Sequence, residues 1–299
     1  MNTGMLYAAA AYAVWGLLPV YWKSLQSVPA YEVLCHRMTW SLVFVMAIHG
    51  IRRDWSWIRH LRERPKIAVT YFVTASVLAI NWWTYIWSVN SGQIVETSLG
   101  YFINPLIYIL LGVILLSEKL RKAQWFAIGI AGLGMLYLTV QYGKVPWIAF
   151  VLAGTFSVYG LLRKTGPLDS LDGLTLETTL LFIPALGVLF FLEVIGTGSM
   201  TRGSLQQGVL LSGSGVATGL PLLFFAAGAR RIRLVTLGIL HYIAPTLQFL
   251  IGIFAYHEPF EKNRAIGFVF VWAALAVYTV EGLHHNRTKL SVSQKISRS

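Results

Sequence analysis

The stretch EVLCHRMTWSLVFVMAIHG, residues 32–50, puts His36 and Arg37 side by side inside an otherwise apolar run. An arginine stays charged at every physiological pH, and its planar fork grips carboxylate or phosphate through two parallel hydrogen bonds. Glu32 stands four residues before His36 and shares its helix face. Two prolines, Pro105 and Pro245, also fall inside apolar runs. A helix-interior proline frees the carbonyl four residues earlier, here those of Tyr101 and His241. Asn104 adds an amide next to Pro105, and in INWWTYIW Asn81 adds another, with Trp83 and Trp87 four residues apart. Trp15 and Tyr159 each precede a glycine, Gly16 and Gly160. These groups suit recognition rather than bond making: a charged fork for an anion, free carbonyls and amides for polar edges, ring faces for a flat or amphipathic body. The candidate lining is therefore Arg37, Tyr101, Asn104 and His241, then Asn81, Trp83, Trp15 and Tyr159, with Pro105 and Pro245 as kinks or hinges.

Each feature also has a plainer reading. Arg37 could lift its head to lipid headgroups or form a purely structural ion pair; a partner for it in a cavity would be Glu32 or a carbonyl. The prolines could be static kinks, and the tryptophans packing or an interface belt. Glu118 and Glu258 end two apolar runs just before basic residues, which reads as solvated end-capping. No P-loop, no HExxH and no cluster of metal ligands occurs, so no cofactor or metal is expected. The single cysteine, Cys35, excludes an internal disulfide.

The elements that must position these groups are membrane helices. Of 299 residues, 56% are hydrophobic and 12% charged, with a mean hydropathy of +0.62. A soluble surface needs roughly a quarter of its residues charged. Runs long enough to span lie at about 4–22, 33–51, 67–90, 97–116, 124–141, 146–162, 174–193, 209–229, 236–256 and 265–283. With the N-terminus inside, the inside segments hold 18 of the 24 Lys and Arg, Arg163 and Lys164 among them; the outside ones hold five, and Arg37 stands apart. That bias places both termini in the cytoplasm. It also accounts for the net charge of +12 without a nucleic-acid partner. Residues 284–299 form a polar, basic tail, expected to be disordered.

The chain repeats itself. AYAVWGLL at 11–18 aligns with TFSVYGLL at 155–162, and NPLIYILLGVILLSE at 104–118 with APTLQFLIGIFAYHE at 244–258. Glu32 corresponds to Glu177. Five spans, an odd number, recur as five more, so the second copy is inverted in the bilayer. Inverted repeats are a recurrent plan of secondary transporters, with the site near the midplane between the halves.

The segments AYAVWGLLPVYWK, EVLCHRMTWS, ETSLGYFINPL and TLGILHYIAPTLQFL resemble the RarD-type branch of the EamA family, in the drug/metabolite transporter superfamily. The resemblance covers about residues 5–283. It implies an all-α integral inner-membrane permease of ten helices in two inverted five-helix EamA repeats, 4–141 and 146–283. Helices 1–4 and 6–9 would surround the cavity. The expected activity is alternating-access transport of small organic metabolites or drugs, without enzymatic turnover. The expected partners are that solute and the bilayer; the sequence sets no oligomeric state, coupling ion or direction. Two rival readings remain at this point: a membrane enzyme using His36 and His241, and a receptor or assembly protein without a solvent path.

Overall fold

Lipid offers no hydrogen bonds, so a chain crossing it must pair its own backbone groups, and long apolar runs become helices. The computed structural model describes residues 3–91, 93–256 and 266–281 apart from 268, 271 and 279. Every regular element among them is helical. In chain order these are α1 Thr3–Lys23, α2 Ala30–Arg52, α3 Ser56–Glu63, α4 Lys66–Asn90, α5 Ile94–Leu115, α6 Lys122–Tyr142, α7 Trp147–Thr165, α8 Ser170–Val194, α9 Ser199–Arg202, α10 Leu205–Ala229, α11 Leu234–His241 and α12 Ile243–Phe254. The described positions of 266–281 are helical too. Among the described residues seven stretches are long and apolar enough to cross a membrane: α1, α2, α4, α6, α8, α10 and the run Leu234–Phe254. The chain is thus a multi-pass membrane protein. The run expected at 97–116 falls on α5 and that at 146–162 on α7. The run at 265–283 lies partly outside the described residues, and the tail 284–299 and Glu258 lie wholly outside them. The short helices α3 and α9 lie in the connections between the expected spans.

The two halves interleave. Helix α5 packs on α7 and α11, α1 on α10 and α12, α2 on α8 and α10, and α4 on α7 and α8. Under the sequence repeat α1 corresponds to α7, α2 to α8, α4 to α10, and α5 to α11–α12. The packing follows that exchange: α5 on α7 is matched by α12 on α1, α1 on α10 by α7 on α4, and α2 on α10 by α8 on α4. Gly16 and Gly160 serve equivalent close approaches. A Cβ on Gly16 would lie 2.7 Å from Leu247 Cβ of α12, and one on Gly160 would overlap the Tyr108 ring of α5. Small residues at such crossings let membrane helices approach closely.

Contacts also fix the ends of the bundle. At one end Gly4 meets Ile232, Lys164 Nζ donates to the carbonyls of Ala229 and Ile232, and Glu118 accepts from the amides of Leu234 (2.6 Å) and Val235 (3.0 Å). The Lys- and Arg-rich connections gather there; we call it the basic end. Glu118 is therefore a mostly buried cap on the N-terminus of α11, where a negative charge meets the positive end of the helix dipole, and not a solvated end group. Arg163, read from the sequence as a loop charge, is buried within α7. At the opposite end Glu32 accepts from Ser199 N (2.6 Å) and Ser199 Oγ (2.8 Å), and Glu96 from Ile148 N (2.7 Å).

The two proline helices differ. Helix α5 runs unbroken through Pro105, whereas its counterpart stops at His241, passes Tyr242 and restarts at Ile243, two residues before Pro245. Gly238 lies against this crossing: a Cβ there would sit 2.8 Å from the Pro105 carbonyl oxygen.

Candidate functional site

Helix α2 starts at Ala30, so Arg37 lies seven residues in, about 10 Å along the axis. It is half-buried and reaches between helices rather than out to headgroups. Its Nε donates to Thr218 Oγ1 of α10 at 3.0 Å. The guanidinium carbon lies 4.8 Å from the ring centre of Trp22, at the end of α1, and 5.1 Å from that of Trp82 on α4. Tyr85 on α4 and Tyr101 on α5 lie close to each other and within electrostatic reach of the guanidinium. Four helices besides its own thus converge on this side chain. Among the described residues no carboxylate pairs with it, because Glu32 is taken by Ser199 and lies 3.9 Å from His36. No described residue accepts from its two terminal nitrogens. A cation held by two tryptophan rings and at Nε, with no described acceptor at its fork edge, is arranged to take a carboxylate or similar anion in two parallel hydrogen bonds.

The other predicted residues divide among four places. Tyr101 belongs to the Arg37 group. Asn81 joins two helices: its Nδ2 donates to Leu152 O and Thr155 Oγ1 of α7, both at 2.9 Å, tying α4 to α7. Asn104 Nδ2 donates to Ala153 O at 3.3 Å, while its Oδ1 is buried without a partner. Trp83 is 64% exposed, and the ring that meets Arg37 is its neighbour Trp82. Trp15, Tyr159 and His241 enter an aromatic cluster nearer the basic end, with Tyr12, Tyr108, Phe156 and Phe225. Tyr12, Tyr108, Tyr159 and Phe225 are fully buried there. The His241 ring lies 4.9 Å from Tyr12 edge-on, and both its nitrogens and the Tyr12 hydroxyl are buried without partners. Pro105 and Pro245 flank this cluster through Tyr108 and the α11–α12 break. His36 and His241 stand in separate groups, one beside Glu32 and one among these rings.

Residues 2–140 match the EamA-like transporter family. The chain is 44% identical to "Protein RarD" of Streptomyces exfoliatus over 96% of its own length and 91% of that protein's. The chain belongs to the EamA-like transporter family. It is also 42% identical to "Uncharacterized transporter YojE" of Bacillus subtilis (96% of this chain, 97% of that one) and 39% identical to "Protein RarD" of Escherichia coli (95% and 96%). The RarD-type resemblance of the sequence motifs thus extends across nearly the whole chain. A solved crystal structure, 21% identical, superposes with a TM-score of 0.71 over 93% of this chain and 98% of that one, which supports the fold.

This EamA-like chain also holds a fully buried arginine, which the sequence places in a loop. Arg163 of α7 and Glu177 of α8 form an ion pair at 3.4 Å with both side chains almost fully buried. Arg163 Nη2 donates to Ser170 O at 2.8 Å, and its guanidinium lies 5.7 Å from the Tyr71 ring centre. Tyr159 OH donates to the other Glu177 oxygen at 3.1 Å. Gly173 makes room, because a Cβ there would run into Arg163 and the Tyr71 ring. Glu177 itself was visible in the sequence as the repeat partner of Glu32. Its arginine was not, since Arg163 falls one residue beyond the apolar run that defined its helix.

Proposed function

We propose that this protein is a secondary transporter. It moves a small organic solute bearing an anionic group by alternating access along a path between two inverted five-helix halves, 4–141 and 146–283. The observation that carries the reading is Arg37. A permanent charge inside the spans costs about 2.5–3.5 kcal/mol near the centre, and such charges face cavities or functional partners. Here the charge is braced by four other helices and, among the described residues, is left without a carboxylate. The matched helix contacts support the inverted plan. The gathering of Lys and Arg at one end supports a cytoplasmic location for that end and for both termini, in the plasma membrane. Tyr101, Trp22, Trp82 and Thr218 complete the binding group. The buried aromatic cluster around His241 and Tyr12 closes the path toward the basic end. Asn104, Trp15 and Tyr159 then line the route only when that cluster parts, with Pro105 and Pro245 as the hinge positions.

The test is a release assay. Liposomes carrying the purified protein are loaded with a broad metabolite and drug mixture, and mass spectrometry records which solutes leave compared with protein-free liposomes. Protein-dependent loss of anionic solutes is the expected result. Loss confined to cationic or uncharged solutes would overturn the Arg37 assignment.

A further inference from the structure

The cations of the basic end are not alike. Arg121 pairs with Glu281 and Arg233 with Glu118, while Lys164, Arg230 and Arg231 donate to backbone carbonyls. The connection from α2 to α4, residues 52–66, is different. It carries six Lys and Arg against two acids, Asp54 and Glu63. Both acids are already engaged, Asp54 by the Ser56 amide at 3.0 Å and Glu63 by Arg59 at 2.7 Å. Arg52, Arg53, Arg62, Arg64 and Lys66 are all exposed, and none of their side chains makes a hydrogen bond or an ion pair with a described residue.

Helix α3 holds this charge in place. Its apolar side chains Trp57, Ile58 and Leu61 join Ile67 and Tyr71 of α4 and Leu168 and Leu176 at the start of the second half. With about 3.6 residues per turn, His60 and Arg62 fall on opposite edges of that apolar face. His60 approaches Asp172 of α8 at 4.0 Å, so Arg62 lies on the edge away from α8. Arg52 is the last residue of α2 and Lys66 the first of α4, so both stand where a span meets the headgroups. Next to them on the same two spans, Ile51, Val69 and Phe72 are exposed apolar side chains. Uncompensated cations at headgroup level, continuous with an apolar span surface, complement an anionic phospholipid: the phosphate meets the guanidinium forks and the acyl chains meet the apolar ledge. A soluble polyanion would use the cations alone.

We propose that the α2–α4 connection is a binding site for an anionic phospholipid. Arg62, Arg64 and Lys66 take its phosphate, and Ile51, Val69 and Phe72 lie along its chains. A lipid held in this way joins α3 to the ends of both spans. The site stands whatever Arg37 binds.

Native mass spectrometry of the full-length protein, released from micelles doped with phosphatidylglycerol or phosphatidylcholine, counts the lipids retained. The wild type should retain phosphatidylglycerol in clear preference to the zwitterionic lipid. Arg62→Gln with Arg64→Gln and Lys66→Gln should weaken that retention on the order of a hundredfold, each charge contributing about fivefold. Arg62→Lys with Arg64→Lys should keep most of it. Arg59→Gln with Glu63→Gln, which removes the charges that already neutralise each other, should leave it unchanged. In lipid-free micelles the triple variant should melt with the wild type, since the altered side chains bond nothing, and added phosphatidylglycerol should raise the melting temperature of the wild type alone. Equal retention of the two lipids by the wild type, or phosphatidylglycerol retention untouched by the triple substitution, would overturn the site. A loss in the Arg59 and Glu63 variant as large as in the triple variant would also overturn it, leaving only diffuse attraction. Glycerol phosphate carries the charge without the chains and should not displace the lipid; displacement at matched concentration would give the site to a soluble phosphate ester instead.

Discussion

Arg37 and Arg163 are both carried inside the helical bundle, in surroundings that differ at every contact. Arg37 is half-buried, lies within about 5 Å of two tryptophan ring centres and has no described carboxylate paired with it. Arg163 is fully buried, faces Glu177, donates to a backbone carbonyl and rests against Gly173 and Tyr71. One charge is compensated within the protein and one is left for something else to compensate. A buried arginine by itself says little about function; what it lacks says more.

The comparison breaks first on stability. Arg163→Ala leaves a buried carboxylate without its cation and should cost about 3–5 kcal/mol, seen as a large drop in melting temperature in detergent. Replacing both partners by apolar residues, Arg163→Met with Glu177→Leu, should recover most of that loss. Equal melting temperatures for wild type and Arg163→Ala would mean that the pair is not formed. Arg37→Ala should do the opposite, with a melting temperature close to wild type and anion binding weakened by about 2–5 kcal/mol, roughly thirtyfold or more. Next comes Thr218→Val, which keeps the shape and removes the one hydrogen bond that sets the fork. A loss of about 1.5–3 kcal/mol in binding is expected, and an unchanged affinity would show that Thr218 does not orient Arg37. Trp22→Leu removes one cation–π face and should weaken binding by about 0.5–2 kcal/mol. Trp83→Leu should change binding and stability by less than about 0.5 kcal/mol. A Trp83 effect as large as that of Trp22 would place the ring back in the site.

The sequence made the spans readable because lipid permits so little else, and Arg37 readable because a charge in an apolar run is conspicuous. Its setting was hidden. Helices α2 and α4 are apolar on most faces, so periodicity could not say whether Trp82 or Trp83 points inward. Thr218 lies 181 residues away in a helix rich in small residues, with nothing local to mark it. Glu118 looked like a solvated end group because its partners, the amides that open α11, lie 116 and 117 residues on. Arg163 was misplaced through a boundary error of three residues, enough to turn a buried ion pair into a loop charge. The proline at 245 did announce a helix interruption. Pro105, at the matching position, interrupts nothing, so the same residue in the same repeat slot has two structural outcomes.

The most direct test is to run wild type and Arg37→Ala side by side in the loaded-liposome assay, after matched thermal melts establish that both are folded. The account predicts protein-dependent release of anionic solutes by the wild type and release at the protein-free rate by Arg37→Ala. Release of the same solutes at the same rate by both proteins would contradict it, and Arg37 would then be a packing arginine like Arg163.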